Sequence, residues 1–325
     1  MPKTILIASN SLDQATTQPV MQQLNKRGYS PLLFATDKIA RCQIPFCVRM
    51  SNAQKPCVEY DGHVLDLADV GAAWYRRPTT FKNNKADEEV DKGRYDSLLD
   101  EYVQLQKYVW AGIPQHRWLN SLDVIHAADD KLSQLALARN LGFLIPDTVV
   151  SNQWQKVVAL PADPLVLKMP RGLLAANGGT KALYTTIIPN NARSLPLHSA
   201  PYPGIWQAYI TKKREWRITV VGDRTFDMAI YTAEQAKHDW RRHQASSAVV
   251  FKKETFPGDL QRNCVRMTKQ LGLRYGAFDF VEKPNGDIIF LEVNPNGQYA
   301  WVEKELHLPI SEAIADELAA IAGGR

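Results

Sequence analysis

The order of hydrophobic and polar positions divides the first third of the chain into alternating strands and helices. Thr4–Ser9 is a short apolar run, Thr16–Arg27 carries apolar residues at helical spacing, and Leu32–Ala35 is a second apolar run. A strand, a helix and a strand in this order predict a unit built on a parallel sheet. The same patterns predict three further elements here, which are strands at Val64–Leu67 and Ala72–Tyr75 and a long helix over Asp87–Trp110.

The pattern changes from Ser121 onwards, which marks a second unit. A helix that contains Lys131 is followed by Leu165–Lys168, an apolar strand that ends in a lysine. The glycine-rich stretch Arg171–Lys181 comes next, and its backbone N–H groups are able to approach phosphates. Because this stretch does not match a P-loop, an ordinary connection to the next strand, predicted at Ala182–Thr186, is the alternative.

The last third combines several strands with one helix before a final hairpin. These elements are predicted at Ile205–Ile210, Glu215–Val221 and Thr225–Tyr231, with the helix at Asp259–Leu271. The whole pattern predicts an α/β (α+β) chain with three units, over residues 1–118, 119–204 and 205–325.

The hairpin near the end of the chain is the most informative stretch. Strands are predicted at Tyr275–Glu282 and Ile288–Val293, and the Asn-Gly pair between them is a strong hairpin signal. A turn centred on that pair places Asp279 directly opposite Glu292. A wider loop at the same register is the alternative, because Pro284 cannot donate a ladder hydrogen bond.

Three oxygen-bearing side chains then converge on one side of this hairpin. Facing residues have Cβ atoms roughly 5 Å apart, and alternate residues share a face, so Asn294 joins Asp279 and Glu292. Two carboxylates this close repel each other unless a cation lies between them, and Mg²⁺ prefers oxygen ligands. The cluster therefore predicts a magnesium and phosphate site, and a surface hairpin with scattered acids is the alternative.

Composition narrows the class of protein. The chain has 325 residues, of which 45% are hydrophobic, and no run approaches the roughly 20 apolar residues of a membrane span. Its four cysteines form no CxxC pair, which favours free thiols, and the N-terminus lacks the apolar segment of a secretory signal, so a cytoplasmic location is expected. A net charge of +5 with dispersed basic residues suits nucleotide phosphates or an acidic peptide, and neither a nucleic acid nor a membrane is expected as a partner.

The order of these features resembles the ATP-grasp superfamily, whose most specific match is LEVNPN at Leu291–Asn296. More narrowly, the chain resembles the ATP-grasp ribosomal peptide maturases, the graspetide or microviridin-type ligases, which are related to the RimK-like ligases. This closer likeness depends on three motifs, which are WYRRP at Trp74–Pro78, IPDTVVSN at Ile145–Asn152 and FLEVNPNGQYAWVE at Phe290–Glu303.

The resemblance implies an ATP-grasp fold with an N-terminal pre-ATP-grasp α/β domain, and it implies ATP and Mg²⁺ as cofactors, with two ions expected. Lys131 and Lys168 match the lysines that contact nucleotide phosphates, and Glu215 matches the acid that binds the ribose hydroxyls. The segment that holds adenine through backbone hydrogen bonds matches Gln207, Ala208, Tyr209 and Ile210. Asp279, Glu292 and Asn294 match the metal ligands.

Four arginines complete the implied site. Arg217 matches an arginine that holds the acyl phosphate, and Arg241 matches a second basic contact near the acceptor, although Arg242 fits that contact equally and a surface basic run remains the alternative. Arg76 and Arg77 belong to the family signature, but as neighbours on a strand they point to opposite faces. One of them is expected to line the site, and the other to pair with an acid or to lie at a domain interface.

The function implied by the resemblance is that of an ATP-dependent ligase. It would activate Asp or Glu side chains of a ribosomal precursor peptide as acyl phosphates and form ω-ester or ω-amide crosslinks. The expected partner is a precursor peptide with a leader and an acidic, hydroxyl-rich core. A RimK-like ligase that adds an amino acid to a carboxylate, and a non-catalytic ATP-binding regulator, are the alternatives. The sequence does not determine which peptide is the substrate or whether the product is an ester or an amide. A homodimer is possible as the oligomeric state.

Overall fold

The computed structural model describes residues 3–40, 42–52, 56–78, 92–162, 164–168, 173–176, 179–182, 186–188, 203–233 and 248–324. The predicted contact at Arg241 or Arg242 and part of the glycine-rich stretch lie outside these residues. All four cysteines lie within the described residues and have free thiols, as expected. No helix in this part of the chain is long and apolar enough to cross a membrane.

The N-terminal part is an α/β unit. Its described elements are β1 (Thr4–Ser9), α1 (Gln14–Lys26), β2 (Ser30–Ala35), α2 (Thr36–Ala40), β3 (Phe46–Arg49), β4 (Cys57–Tyr60), β5 (His63–Leu65), β6 (Ala72–Tyr75) and α3 (Lys92–Gly112). The predicted parallel sheet is confirmed, because β1 lies between β2 and β6 and pairs in parallel with both. A separate antiparallel sheet joins β3, β4 and β5, and there the strand predicted to run to Leu67 ends at Leu65.

The central part is built on an antiparallel sheet in the order β11-β8-β12-β7. Its elements are α4 (Leu122–Ala128), α5 (Lys131–Asn140), β7 (Thr148–Ser151), α6 (Trp154–Val158), β8 (Leu165–Lys168), β9 (Leu173–Ala176), β10 (Gly179–Ala182), β11 (Thr186–Ile188) and β12 (Gly204–Ala208). Of the strand predicted over Ala182–Thr186, residues 183–185 lie outside the described residues, while Ala182 ends β10 and Thr186 begins β11 in another sheet, so the two ends do not share one sheet as predicted. The sequence between β9 and β10 is Asn-Gly, a hairpin signal within the stretch interpreted as a loop.

The C-terminal part carries the longest strands. Its elements are β13 (Arg214–Val221), β14 (Arg224–Thr232), β15 (Val249–Lys252), α7 (Gly258–Gln270), β16 (Tyr275–Glu282), β17 (Ile288–Asn294), α8 (Ala300–Leu306) and α9 (Ile310–Gly323). The five strands form an antiparallel sheet in the order β15-β14-β13-β16-β17. Helix α9 packs against α1, so that Leu24 of the first helix shares a core with Ile314 and Leu318 of the last.

One face of this sheet is apolar. Phe278 and Phe280 of β16 and Phe290 of β17 are fully buried in a core that also takes in Leu135 of α5 and Met267 of α7. Since side chains alternate along a strand, the residue between Phe278 and Phe280 must point to the opposite face. That residue is Asp279, and its direction is therefore set by the phenylalanines on either side.

The hairpin register confirms the facing carboxylates but not the two-residue turn. Lys283 N donates to Asp287 O at 2.8 Å, so the loop contains three residues. The wider loop agrees with the alternative raised by Pro284, which cannot donate a ladder hydrogen bond. On the loop side Phe280 pairs with Phe290, and a β-bulge then restores the predicted pairing of Asp279 with Glu292.

Glu282 is the centre of a buried ionic network at the loop end of β16. Its carboxylate accepts hydrogen bonds from Arg214 Nε at 2.6 Å, Trp216 Nε1 at 2.9 Å and Lys213 Nζ at 3.1 Å. Burial acts to raise the pKa of Glu282, but the hydrogen bonds from Arg214, Trp216 and Lys213 outweigh it and hold the pKa below its ordinary value. The ionised carboxylate therefore stabilises the fold.

A Glu282→Gln variant should lose a pH-dependent part of the free energy of unfolding. Because the folded pKa lies below the unfolded value of about 4.3, the contribution of Glu282 is present above that value and is lost as the pH falls through the folded pKa. Urea unfolding of both proteins between about pH 6 and pH 3 should show a gap that narrows on acidification. A gap of constant size would contradict this assignment.

Candidate active site

The candidate site begins with the pair of carboxylates on β16 and β17. Asp279 lies opposite Glu292, and the two side chains are 13% and 34% exposed, so both reach a partly open face. Asn294 follows two residues after Glu292, pairs with Ala277 and is exposed. The bulge turns Phe290 and Val293 into the same apolar core, which leaves Glu292 on the polar side. The predicted ligand set therefore shares one hairpin.

A cation lies beside each carboxylate. Arg217 is the direct neighbour of Asp279 on β13, and its Nη1 lies 2.7 Å from Asp279 Oδ1. Lys131 is the first residue of α5, and its Nζ lies 3.3 Å from Glu292 Oε2. Asp130 caps this helix by accepting from Ser133 N at 2.7 Å, and hydrogen bonds from Ser133 lower the pKa of Asp130. The two pairs balance the charge of the site.

The donor set fits magnesium. Among the described residues there is no group of three or more His, Cys, Asp or Glu side chains that could hold a metal ion. The hairpin of β16 and β17 offers two carboxylates and the amide oxygen of Asn294, all of them hard oxygen donors. Mg²⁺ is commonly held by one or two carboxylates together with substrate phosphates and water, whereas structural zinc requires nitrogen or sulfur ligands.

Two buried amide side chains fix the backbone on which the predicted ligands stand. Gln134 of α5 donates to Val293 O at 2.8 Å and accepts from Val293 N at 2.9 Å, so it holds the residue between Glu292 and Asn294. Asn120 donates to Pro295 O at 2.9 Å and to Tyr275 O at 2.8 Å. The sequence analysis missed both residues. The only signal was a polar amide at a core position, and Gln134 is 2% exposed.

Of the residues assigned to adenine, Gln207 and Ala208 lie on β12 of the central sheet, and Tyr209 and Ile210 follow that strand. Gln207 is buried, and its Nε2 donates to Thr148 Oγ1 at 3.0 Å. Ala208 N donates to Asp147 O at 3.0 Å, and Tyr209 N donates to Pro164 O at 3.1 Å. These two N–H groups hold the segment in place, and both already donate to backbone carbonyls.

Ile210 is the remaining N–H donor of that segment. It follows the end of β12, and among the described residues its N–H donates to no acceptor. The assignment of Gln207, Ala208, Tyr209 and Ile210 to adenine stays a prediction, and the Ile210 N–H is a donor that remains available for it within the described part of the chain. Lys168, at the end of β8, lies opposite Ile205 in the same sheet.

Glu215 and Arg217 of β13 lie on the same polar face of the sheet as Asp279 of β16. Glu215 is two residues before Arg217 and forms an ion pair with Lys212. Arg217 is 7% exposed, its Nη2 donates to Gln298 O at 3.2 Å, and its buried Nε has no hydrogen-bond partner among the described residues. A buried donor without a partner is costly, and a phosphate oxygen would satisfy it.

The two arginines of the WYRRP motif occupy different environments. Strand β6 ends at Tyr75, so Arg76 and Arg77 both follow the strand. Arg76 is 1% exposed and pairs with Asp13, with its Nε at 3.1 Å from Asp13 Oδ2. Arg77 is exposed, and its carbonyl accepts from Asn10 Nδ2 at 3.0 Å. Arg76 is thus the member that pairs with an acid.

These sheets and this site define an ATP-grasp fold with an N-terminal pre-ATP-grasp domain. Residues 4–126 match the family model described as the MvdD pre-ATP grasp domain. The macrocyclase MdnC bound with precursor peptide MdnA, from Microcystis aeruginosa MRC, is 26% identical with a TM-score of 0.79, and the match covers 97% of this chain and 99% of that one. The macrocyclase MdnB from the same organism is 28% identical with a TM-score of 0.76, over 98% and 99% of the two chains.

A third solved structure has a similar fold. It is a Chryseobacterium gregarium RiPP-associated ATP-grasp ligase in complex with ADP and a leader and core peptide, at 24% identity and a TM-score of 0.84, over 98% of this chain and 97% of that one. No curated protein is similar enough to match. The resemblance to the ATP-grasp peptide maturases is confirmed in the N-terminal domain and in the fold of nearly the whole chain. The Chryseobacterium gregarium complex contains ADP, and another ATP-grasp ligase of similar fold was solved with Mg and ADP. The number of ions stays a prediction for this chain.

The close packing at Gly297 gives a test of the site. A Cβ at this position would lie 2.5 Å from Ala277 Cβ and 3.0 Å from Arg217 Nη2, and Ala277 cannot move without its strand. We expect Gly297→Ala to lower the free energy of unfolding by about 1–3 kcal/mol in urea denaturation, because overpacking forces such shifts. Gly323→Ala is the control, since no atom lies within 4 Å of its added Cβ. Equal stability of the two variants would refute the tight contact.

Proposed function

We propose that this protein is an ATP-dependent ligase that crosslinks a ribosomal precursor peptide. It activates an Asp or Glu side chain of the peptide as an acyl phosphate, and a Ser or Thr hydroxyl or a Lys amine of the same peptide then displaces phosphate. The product is an ω-ester or ω-amide macrocycle, and ADP and phosphate are released. The observation that carries this proposal is the likeness to the macrocyclases MdnC and MdnB over nearly the whole length of the chain.

The facing carboxylates support the first half of the reaction. A carboxylate does not react with an amine or an alcohol at neutral pH, so it must first attack the γ-phosphate of ATP. Asp279, Glu292 and Asn294 would hold Mg²⁺, which when bound neutralises charge on the phosphate oxygens. The proposal includes two Mg²⁺ ions at this site. Lys131 stands next to Glu292 and provides a fixed cation for the same phosphates, and Lys168 is assigned a matching role from the central sheet.

Arg217 is assigned to the acyl phosphate. Its guanidinium is held in place by Asp279 on one side and by the Gln298 carbonyl on the other. The Nε–H that remains unpartnered among the described residues is available for a phosphate oxygen of the intermediate. Because these bonds exist before the substrate is bound, little reorganisation is needed when charge develops on the tetrahedral intermediate.

The nucleotide is assigned to the gap between two sheets. Adenine would be contacted by the Ile210 N–H, and its ribose hydroxyls by Glu215, which already pairs with Lys212. Gln207, Ala208 and Tyr209 would shape this segment, since their side chain or N–H groups are bonded to neighbouring backbone or to Thr148. Arg241 remains assigned to the acceptor side. A precursor with a leader and an acidic, hydroxyl-rich core, met in the cytoplasm, is the proposed partner.

Mass spectrometry tests the reaction class. The protein is incubated with Mg-ATP and a panel of synthetic peptides rich in Asp, Glu, Ser, Thr and Lys, and each product is weighed and fragmented. We expect the loss of one water for each crosslink, with release of one ADP. A gain in mass equal to an amino-acid residue, when free amino acids are supplied, would support the RimK-like reaction instead. ADP release without any change in peptide mass would refute the proposal.

Glu292→Gln tests the metal assignment. Glu292 and its partner Lys131 are 34% and 29% exposed, so the neutral side chain leaves no deeply buried unpaired charge and the fold should persist. We expect peptide-dependent ADP release to fall at least about 100-fold, because metal ligation supplies several kcal/mol of charge stabilisation.

Asp287→Asn serves as the control on the same hairpin, because Asp287 lies just before β17 at the end of the loop, away from Glu292, and pairs with Lys283. Its rate should remain near that of the original protein. Asp279→Asn is less clean, since it would leave the buried Arg217 without its ion pair. A normal rate for Glu292→Gln with a normal circular dichroism spectrum would exclude Glu292 as a metal ligand.

A further inference from the structure

Arg76 is one of the largest fully buried side chains of the protein. It follows the carboxyl end of β6, in the N-terminal parallel sheet, and only 1% of it is exposed. Arginine is almost never buried to this degree without partners, because removing the charge from water is costly. The partners of Arg76 therefore indicate why the chain retains a charge there.

The guanidinium of Arg76 joins two distant parts of the chain. Its Nε lies 3.1 Å from Asp13 Oδ2, at the start of α1. Its Nη1 donates to Asn296 O at 2.9 Å, and its Nη2 donates to Gln298 Oε1. In return, Asn296 Nδ2 donates to Arg76 O. The planar fork thus links the N-terminal sheet to the loop that follows Asn294.

Asp13 is diverted from its usual task. It occupies the N-cap position of α1, where a carboxylate ordinarily accepts from a backbone N–H of the first turn, yet its side chain makes no capping bond. It accepts instead from Arg76 and from Ser9 Oγ, the latter at 3.1 Å. The helix thus gives up a capping bond, and the same carboxylate holds Arg76.

Gln298 connects Arg76 to the catalytic side. Its side-chain oxygen accepts from Arg76, and its carbonyl oxygen accepts from Arg217 Nη2 at 3.2 Å. Arg217 in turn contacts Asp279. The residue before Gln298 is held as well, because Gly297 O accepts from Tyr275 OH at 2.7 Å. Burial raises the pKa of Tyr275 to about 12, so this hydroxyl stays a donor. A continuous series of hydrogen bonds therefore runs from Asp13 to Asp279.

We infer that Arg76 is a positioning residue for the reaction, which acts by fixing Gln298 and, through its carbonyl, the guanidinium of Arg217. The inference rests on the proposed function, in which Arg217 holds the acyl phosphate. It assigns a role to the WYRRP motif, although the described partners of Arg76 include none of the residues assigned to nucleotide or metal. Arg76 determines where the Arg217 guanidinium lies, so its loss should affect the chemical step more than nucleotide binding.

The test uses Arg76→Lys, which keeps the positive charge next to Asp13 but cannot bridge two acceptors with a planar fork. We expect kcat to fall about 10- to 100-fold on the panel peptide that reacts fastest, because small misplacements of a catalytic group cost that much. The KM for ATP should stay within about threefold of the value for the original protein, because Arg76 is not assigned to the nucleotide and the binding of ATP in the ground state should be unchanged. Assays are run well below the unfolding temperature of the variant.

Gln298→Ala breaks the same series at the next residue. It should lower kcat in a similar way, and the double variant with Arg76→Lys should be no slower than the slower single variant within about twofold, because both changes remove one connection. Arg27→Lys is the matched control. Arg27 also joins N-terminal to C-terminal elements, through Asp316 of α9, and should leave kcat unchanged.

Amide hydrogen exchange over residues 294–299 separates this inference from the proposed function. Faster exchange there in Arg76→Lys, but not in Arg27→Lys, together with the kcat loss, is the expected result. Normal kcat in a folded Arg76→Lys protein overturns the inference, and so does unchanged exchange in this segment. If the original protein forms no crosslink with any peptide, the proposed function fails, and exchange alone still decides whether Arg76 holds the loop.

Discussion

Two carboxylates held face to face repel each other, and the structure around Asp279 and Glu292 is organised to keep them there. The apolar core on the other side of the sheet fixes their direction, since the phenylalanines that flank Asp279 are fully buried. Arg217 and Lys131 reduce the repulsion from opposite sides. A cation bound between the two carboxylates would remove the remaining repulsion between them.

The backbone after Glu292 is the second constraint. Gln134 binds Val293, Asn120 binds Pro295, and Arg76 binds the carbonyl of Asn296. The three side chains come from helix α5, from the segment before α4 and from the end of β6, and each is at most 4% exposed. Each one replaces water in satisfying buried backbone groups, so that an irregular stretch of chain becomes a fixed platform.

The division of labour between the sheets follows from this arrangement. The five-stranded sheet carries the predicted metal ligands and Arg217, and the four-stranded sheet carries Lys168 and the start of the segment assigned to adenine. A phosphate chain held between two sheets is approached by fixed cations from both, which is what phosphoryl transfer requires when the protein supplies little covalent chemistry. The N-terminal domain takes part through Arg76, which reaches the loop between the ligands and α8.

The sequence by itself determined the first strand-helix-strand unit with its parallel sheet and the pairing of Asp279 with Glu292. These depend on local patterns, namely apolar periodicity and turn residues, which act over a few positions. Only the structure showed that the loop holds three residues and that a bulge after Phe290 restores the register. The extra loop residue and the bulge shift the pairing in opposite directions, so together they leave the predicted pairing of Asp279 with Glu292 unchanged. It also decided the roles of Gln134, Asn120 and Arg76. Their partners lie far away along the chain, and a hydrogen bond between distant residues depends on how the elements pack, which no spacing in the sequence records.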